Sequence, residues 1–209
     1  MPDYPMYYSQ AGQDGWVIEM TSSKRDGFYV DIGAHNGVSS SNTYELDKTY
    51  TWKGICIEAH PEAFQQLVEA RPNAININCA VTDYNGKCLF GGDRVVEDGG
   101  VETPCFTLYS LFKNNNAPNF IDYLSIDIEG HEPIVFAKFF EENDCFTFGL
   151  ITVEHNVYSG DDTQKKSLYK ILTANEYERV LEDVTVRSND SWNGLPYEDW
   201  YRSVNYEAI

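Results

Sequence analysis

The sequence predicts an α/β fold built on a parallel sheet with crossover helices, and three observations carry that prediction. Short apolar runs rich in β-branched and aromatic residues alternate with stretches of helical length and pattern. Several of those runs end in an acid: Asp31, Glu58, Asp127 and Glu154. The first opens onto a glycine-bearing turn, Asp31-Ile-Gly-Ala-His-Asn-Gly37. Open α/β sheets bind ligands at the carboxyl ends of their strands, so this turn is the leading candidate site.

The elements follow in order. Residues 13–20 read as a short lead-in helix within a lead-in segment, 1–26, and residues 27–32 as the first strand. Residues 40–50 have helical character, and 54–58 form a second strand ending in Glu58. Pro61 suits the first turn of a helix that runs to Ala70. Residues 74–81 read as a third strand, followed at 83–87 by a hairpin-like turn, because Asn85-Gly86 favours positive φ. The polar, glycine-rich stretch 91–104 reads as a mobile surface loop, a lid in an enzyme. A short helix at 107–113, a strand at 123–127, a helix at 133–140 and a strand at 148–154 come next. A helix at 163–175 and strands at 177–186 and 200–204 complete the order. Neither a repeat nor a low-complexity linker interrupts residues 1–209, which read as one domain.

Bulk properties narrow the function. Fifteen basic and 33 acidic residues give a net charge of −18, a surface that repels nucleic acid and anionic membrane. The five cysteines lack zinc-site spacing, and Cys56 and Cys79 lie in apolar runs, which points to buried thiols and a reducing intracellular compartment. Met1-Pro-Asp-Tyr-Pro5 has neither the basic region nor the apolar stretch of a signal peptide, and no run reaches membrane-spanning length.

The glycine turn is neither the Gly-x-Gly-x-x-Gly of a dinucleotide fold nor a Walker loop, so a ligand without a pyrophosphate is expected. S-adenosylmethionine (SAM) meets that description. Its cationic ammonium and sulfonium welcome an acid, and its carboxylate can take amide donors from the turn. Glu58, 27 residues beyond Asp31, stands where such folds place a ribose-binding acid. Asp83 suits either an adenine amino group or simple turn formation. A third group, Asp127, Glu129, His131 and Glu132 with Glu154, His155 and Asn156, has two functional readings: a base for a substrate hydroxyl, or a divalent-cation site on Asp127, Glu129 and Glu154. Helix capping is the structural alternative, strongest for Glu129 and Glu132.

Taken together, these blocks resemble the FkbM-type SAM-dependent methyltransferases. The resemblance rests on Ser9-Gln10, Gln13-Asp-Gly15, Tyr29 through Gly37, Ser41-Asn-Thr43, Trp52 through Glu58, Asn78-Cys-Ala-Val81, Tyr123 through Gly130 with Glu132, and Val153-Glu154, in the family's order. It implies a Rossmann-like class I methyltransferase fold, with a mostly parallel seven-stranded sheet, one antiparallel strand and helices on both faces. It further implies O-methylation of a sugar or another hydroxylated natural product. Asp31, Gly33 and Gly37 would then line the methionine part of SAM and Glu58 its ribose. Gln10, Ala34, Asn42 and Asp83 complete the expected cofactor set. Asp127 or His155 is expected as the base, with Glu129 and Glu154 orienting the acceptor or holding a metal. The aromatic segment Trp192 to Tyr197 suits a sugar ring. The rival expectations are a small-molecule or lipid O-methyltransferase and a non-catalytic module of this fold.

Overall fold

A computed structural model of the chain describes residues 4–187 and 193–206. In chain order its elements are α1 (Gln13–Met20), β1 (Phe28–Ile32), α2 (Tyr44–Lys48), β2 (Lys53–Ile57), α3 (Pro61–Ala70) and β3 (Ile75–Ile77). There follow β4 (Ala80–Val81), β5 (Gly86–Gly91), β6 (Arg94–Val96), β7 (Val101–Phe106) and α4 (Leu108–Asn114). The chain continues through β8 (Phe120–Ile126), α5 (Glu132–Glu142), β9 (Thr147–Glu154), α6 (Thr163–Ala174), β10 (Tyr177–Thr185) and β11 (Pro196–Ser203).

The main sheet has seven strands in the order β10-β11-β9-β8-β1-β2-β3. Strands β3, β2, β1, β8 and β9 pair in parallel, whereas β11 is antiparallel to both neighbours and is the one reversed strand. This is the class I methyltransferase fold that the resemblance implies. Strand pleating sends alternate side chains to opposite faces. Val30 and Ile32 enter a cluster with Phe112, Phe136, Phe139 and Leu172 of α4, α5 and α6. Tyr29 enters a second cluster, with Trp16, Leu46 and Leu67 of α1, α2 and α3. Helices therefore cover both faces, and β1 is buried at its centre.

Several expectations are corrected. The third strand, expected at 74–81, is two: β3 joins the main sheet, while β4 joins a second sheet of order β4-β7-β5-β6. The turn at 83–87 closes no hairpin, because β4 pairs in parallel with β7 and β5 pairs with β6 and β7. The expected mobile loop at 91–104 contains β6 and most of β7. Thr103 and Cys105 of β7 turn inward while Glu102 and Pro104 face solvent, a period-two pattern short enough to be masked by the surrounding glycines. The helix expected at 40–50 begins only at Tyr44, since Ser40 has φ +56° and the Ser41 hydroxyl accepts the amides of Thr43 and Tyr44. Cys56 and Cys79 are buried free thiols, as expected, and so are Cys88 and Cys105. No helix among the described residues is long and apolar enough to cross a membrane.

The turn after β1 is where the fold allows least change. Gly33 has φ +82°, and a Cβ added there would lie 2.0 Å from the Asp127 carbonyl oxygen. Both the backbone conformation and the close approach to the chain after β8 require glycine. Gly33→Ala is therefore expected to cost at least about 2 kcal/mol, read as a fall in Tm of roughly 4–8 °C by thermal denaturation.

Candidate functional site

Two cavities flank this turn at the carboxyl edge of the sheet. The larger, about 430 Å³, is walled by Gly33, His35, Glu58, Asp127 and Glu129, with Phe90 and Val95 of the second sheet closing over it. The smaller, about 200 Å³, is walled by Gln10, Asp31, Ala34, Asn42 and Ser125. Ile32, Gly33, His35 and Asp127 wall both, so the cavities meet at the turn and at the end of β8.

Glu58 faces the larger cavity with its carboxylate fixed at both oxygens. The His35 amide donates to Oε2 and the His60 amide to Oε1, each at 2.7 Å. Each oxygen keeps capacity for a second donor. Asn78 ties the chain behind it by donating to the Glu58 carbonyl at 2.7 Å.

Asp31 is buried in the wall of the smaller cavity and accepts from the Thr43 hydroxyl at 2.6 Å. Burial pushes its carboxyl above the usual range, and the Thr43 bond and the Arg71 charge pull it back. Arg71 had no signal in the sequence, being the residue just past α3. It is fully buried and donates to Thr43 Oγ1 (2.7 Å), Ser41 Oγ (3.0 Å), the Tyr29 hydroxyl (3.0 Å), Asp47 Oδ2 (3.0 Å) and the Gly37 carbonyl (2.8 Å). Asn42 donates to Ser125 Oγ at 2.9 Å, and its own Oδ1 finds no partner among the described residues.

A group of carboxylates stands at the ends of β8 and β9. One oxygen each of Asp127, Glu129 and Glu154 lies within 4.8 Å of the others. Glu154 is buried, and its carboxyl stands well above the usual range through burial and then the Asp127 charge. Burial also raises Asp127. Glu129, at φ +57°, meets Arg94 of β6 at 3.3 Å and is pushed up to about 7 by burial and by Asp127. Two further buried acids line up behind them. Glu132 accepts the amides of Ile128 and Gly130 and is pushed up to about 8 by burial. Glu198 of β11 lies opposite Glu154 in register and is likewise raised to about 8 by burial. Glu132 thus ties the loop ahead of α5, whose N-terminus has no side-chain cap, so the capping expected of Glu129 and Glu132 is not seen.

Of the expected site residues, Gly37, Asp83, Glu154 and His155 wall neither cavity. Pleating turns His155, expected as a base, to the face opposite Glu154, where it is fully buried, with Nε2 3.4 Å from Asp199 and 3.5 Å from Asp183. Gly37 is also outside both walls, because its α-carbon packs under Leu67 and Arg71. Asp83 is exposed beyond the wall of the larger cavity, and its charge is felt at His131 on the rim. Trp192 lies outside the described residues, and Tyr197 is buried with Gln13 donating to its hydroxyl. The turn amides are also less free than expected. Those of Gly33 and Ala34 donate to the Ile57 carbonyl and that of His35 to Glu58.

Residues 89–179 match the methyltransferase FkbM domain, a stretch that carries Asp127, Glu129 and Glu154 but not the Asp31 turn. No curated protein matches the chain. Among solved structures, the chain is similar to methyltransferase FkbM from Methylobacillus flagellatus KT, with 16% identity and TM-score 0.54. That match covers 85% of this chain and 43% of that one, so this chain spans less than half of that protein's length. TrmK of M. capricolum, solved with S-adenosylhomocysteine, is 11% identical with TM-score 0.52, covering 91% and 68%. A provisionally assigned RNA methyltransferase of Pyrococcus horikoshii is 13% identical with TM-score 0.52, covering 93% and 83%. At these identities the likeness establishes the fold.

Two outcomes follow from the site. Arg71→Met is expected to destabilise the protein by about 3–5 kcal/mol in chemical denaturation, because it strands Asp47 and Asp31 without their cation. Stability should also fall with rising pH. Glu132 and Glu198 ionise near the usual 4.5 when unfolded but near 8 when folded, and Glu129 near 7. Their contribution is complete below pH 4.5 and is lost progressively up to the folded values, since the folded state holds protons that the unfolded state releases. Calorimetric Tm is therefore expected to be higher near about pH 5 than near about pH 8.5.

Proposed function

We propose that this chain is an SAM-dependent O-methyltransferase whose acceptor is a hydroxyl of a sugar or glycan. The observation that carries the reading is the pair of cavities meeting at Gly33, with Glu58 fixed in one and Asp31 in the other. Adenosine occupies the larger cavity, Glu58 accepting from its ribose hydroxyls and Phe90 and Val95 covering its base. The methionine part occupies the smaller, its ammonium near Asp31 and the unpartnered Asn42 oxygen. With the turn amides engaged, the hydroxyls of Ser39 and Ser40 in that wall are the donors for its carboxylate.

Methyl transfer is a displacement at the sulfonium methyl in which the acceptor oxygen attacks and loses its proton. Positioning supplies most of the acceleration. The proton goes to the carboxylate group around Asp127. Asp127 and Glu129 both wall the larger cavity.

A carbohydrate acceptor is supported by two features. A cluster of carboxylates accepts hydrogen bonds from several hydroxyls at once. Tyr7 and Tyr8 are exposed two and one residues before Ser9, which bridges to Ser40 in the wall of the smaller cavity. Tyr8 meets the Tyr44 ring edge-on at 4.6 Å, leaving aromatic surface beside the site for a sugar ring. Although one of the structural relatives is named as an RNA methyltransferase, the net charge of −18 opposes a nucleic-acid acceptor here.

Calorimetric titration with SAM, S-adenosylhomocysteine and NAD tests the cofactor. The first two are expected to bind and NAD is not; absence of SAM and S-adenosylhomocysteine binding would sink the reading. Glu58→Ala is expected to weaken SAM roughly tenfold or more, the loss of two hydrogen bonds to a charged acceptor. Methyl transfer onto a panel of sugars then identifies the acceptor.

A further inference from the structure

We propose that Asp127, Glu129 and Glu154 form a binding site for one divalent cation that prefers oxygen ligands, of the Mg2+ or Mn2+ type. Three carboxylates from two adjacent strand ends offer oxygens within 4.8 Å of one another. A second feature points to a ligand. Glu154 is only 4% exposed, and the Tyr158 hydroxyl takes its Oε1 at 3.3 Å, yet Oε2 finds no hydrogen-bond partner among the described residues. A buried carboxylate oxygen without a donor is costly, and a cation between it and Asp127 removes that cost.

The backbone holds the three ligands in place without help from the ion. The Asp127 amide donates to the Ile32 carbonyl at 3.0 Å, and Glu129 is fixed at φ +57° ahead of Gly130. Arg94 touches Glu129 through Oε2 from an exposed position. The donor set is all carboxylate, which suits hard cations and not zinc or copper.

The other grouping of metal-ligating residues, His155 with Asp183 and Asp199, differs in the decisive respect. Its acids already meet cations, Lys165 at 2.7 Å from Asp183 and Arg179 at 2.9 Å from Asp199. Among the described residues, the group at Asp127 meets only the peripheral Arg94.

Three protein oxygens leave coordination positions open at a six-coordinate ion. On the methyltransferase reading, on which this clause rests, two vicinal hydroxyls of the acceptor fill them, which makes a vicinal diol the preferred substrate. Cation binding itself does not depend on that reading.

The test is titration of the chelator-treated full chain with MnCl2, followed by electron paramagnetic resonance and calorimetry, with SAM titrated into the same sample. The expected result is one Mn2+ per chain, displaced by Mg2+. Glu154→Gln and Glu129→Gln should each weaken it roughly tenfold or more. Glu129, at the cavity rim, serves where Glu154→Gln fails to fold. No Mn2+ bound at millimolar concentration, or binding unchanged in the folded variants, overturns the site. SAM binding in that same sample separates this failure from failure of the cofactor reading.

Discussion

The buried guanidinium of Arg71 is the interaction on which the glycine-turn side of the structure depends. A fully buried cation must have every donor met, and arginine has five in a planar fork. Here they go to the Gly37 carbonyl, Tyr29, Asp47, Ser41 and Thr43. Through Thr43 the network reaches Asp31, and through Gly37 it holds the far end of the glycine turn. The end of β1, the turn and the start of α2 are thereby one unit. It also explains why α2 is short: the residues that would have lengthened it are spent satisfying Arg71.

The opposite side of the turn carries the reverse electrostatics. Asp127, Glu129, Glu132, Glu154 and Glu198 gather at the strand ends with Arg94 as the cation touching the group from outside. Burial holds protons on several of them. The hydrophobic clusters on both faces of the sheet bear the cost of bringing these acids together, since β1, β8 and β9 are buried over most of their length. A site so arranged is complementary to positive charge and to hydroxyl donors. The sulfonium group, a metal ion and a polyol all have one of those properties.

The elements legible in the sequence were those whose local signals agree with their tertiary setting. Gln13–Met20 and Pro61–Ala70 fall where pattern and the proline placed them. The strands ending at Asp31, Glu58, Asp127 and Glu154 fall within one or two residues of their expected ends. Residues 91–104 were misread because glycines and charges look like loop, whereas pairing with β5 supplies the hydrogen bonds that make them strands. His155 lies away from Glu154 because adjacency in sequence is not adjacency in space: consecutive residues of a strand face opposite sides.

By itself the sequence determined the α/β class, the strand-end acids, the glycine at position 33 and the resemblance to the FkbM methyltransferases, because these rest on local periodicity, spacing and residue chemistry. Only the tertiary structure decided which acids share a site. Parallel pairing of β1 with β8 and of β8 with β9 brings residues a hundred positions apart to one edge. It turned His155 away, brought Glu198 in from the reversed strand and buried Arg71 beneath the turn. Such choices depend on register and strand direction, and they are made by long-range pairing that no local pattern encodes.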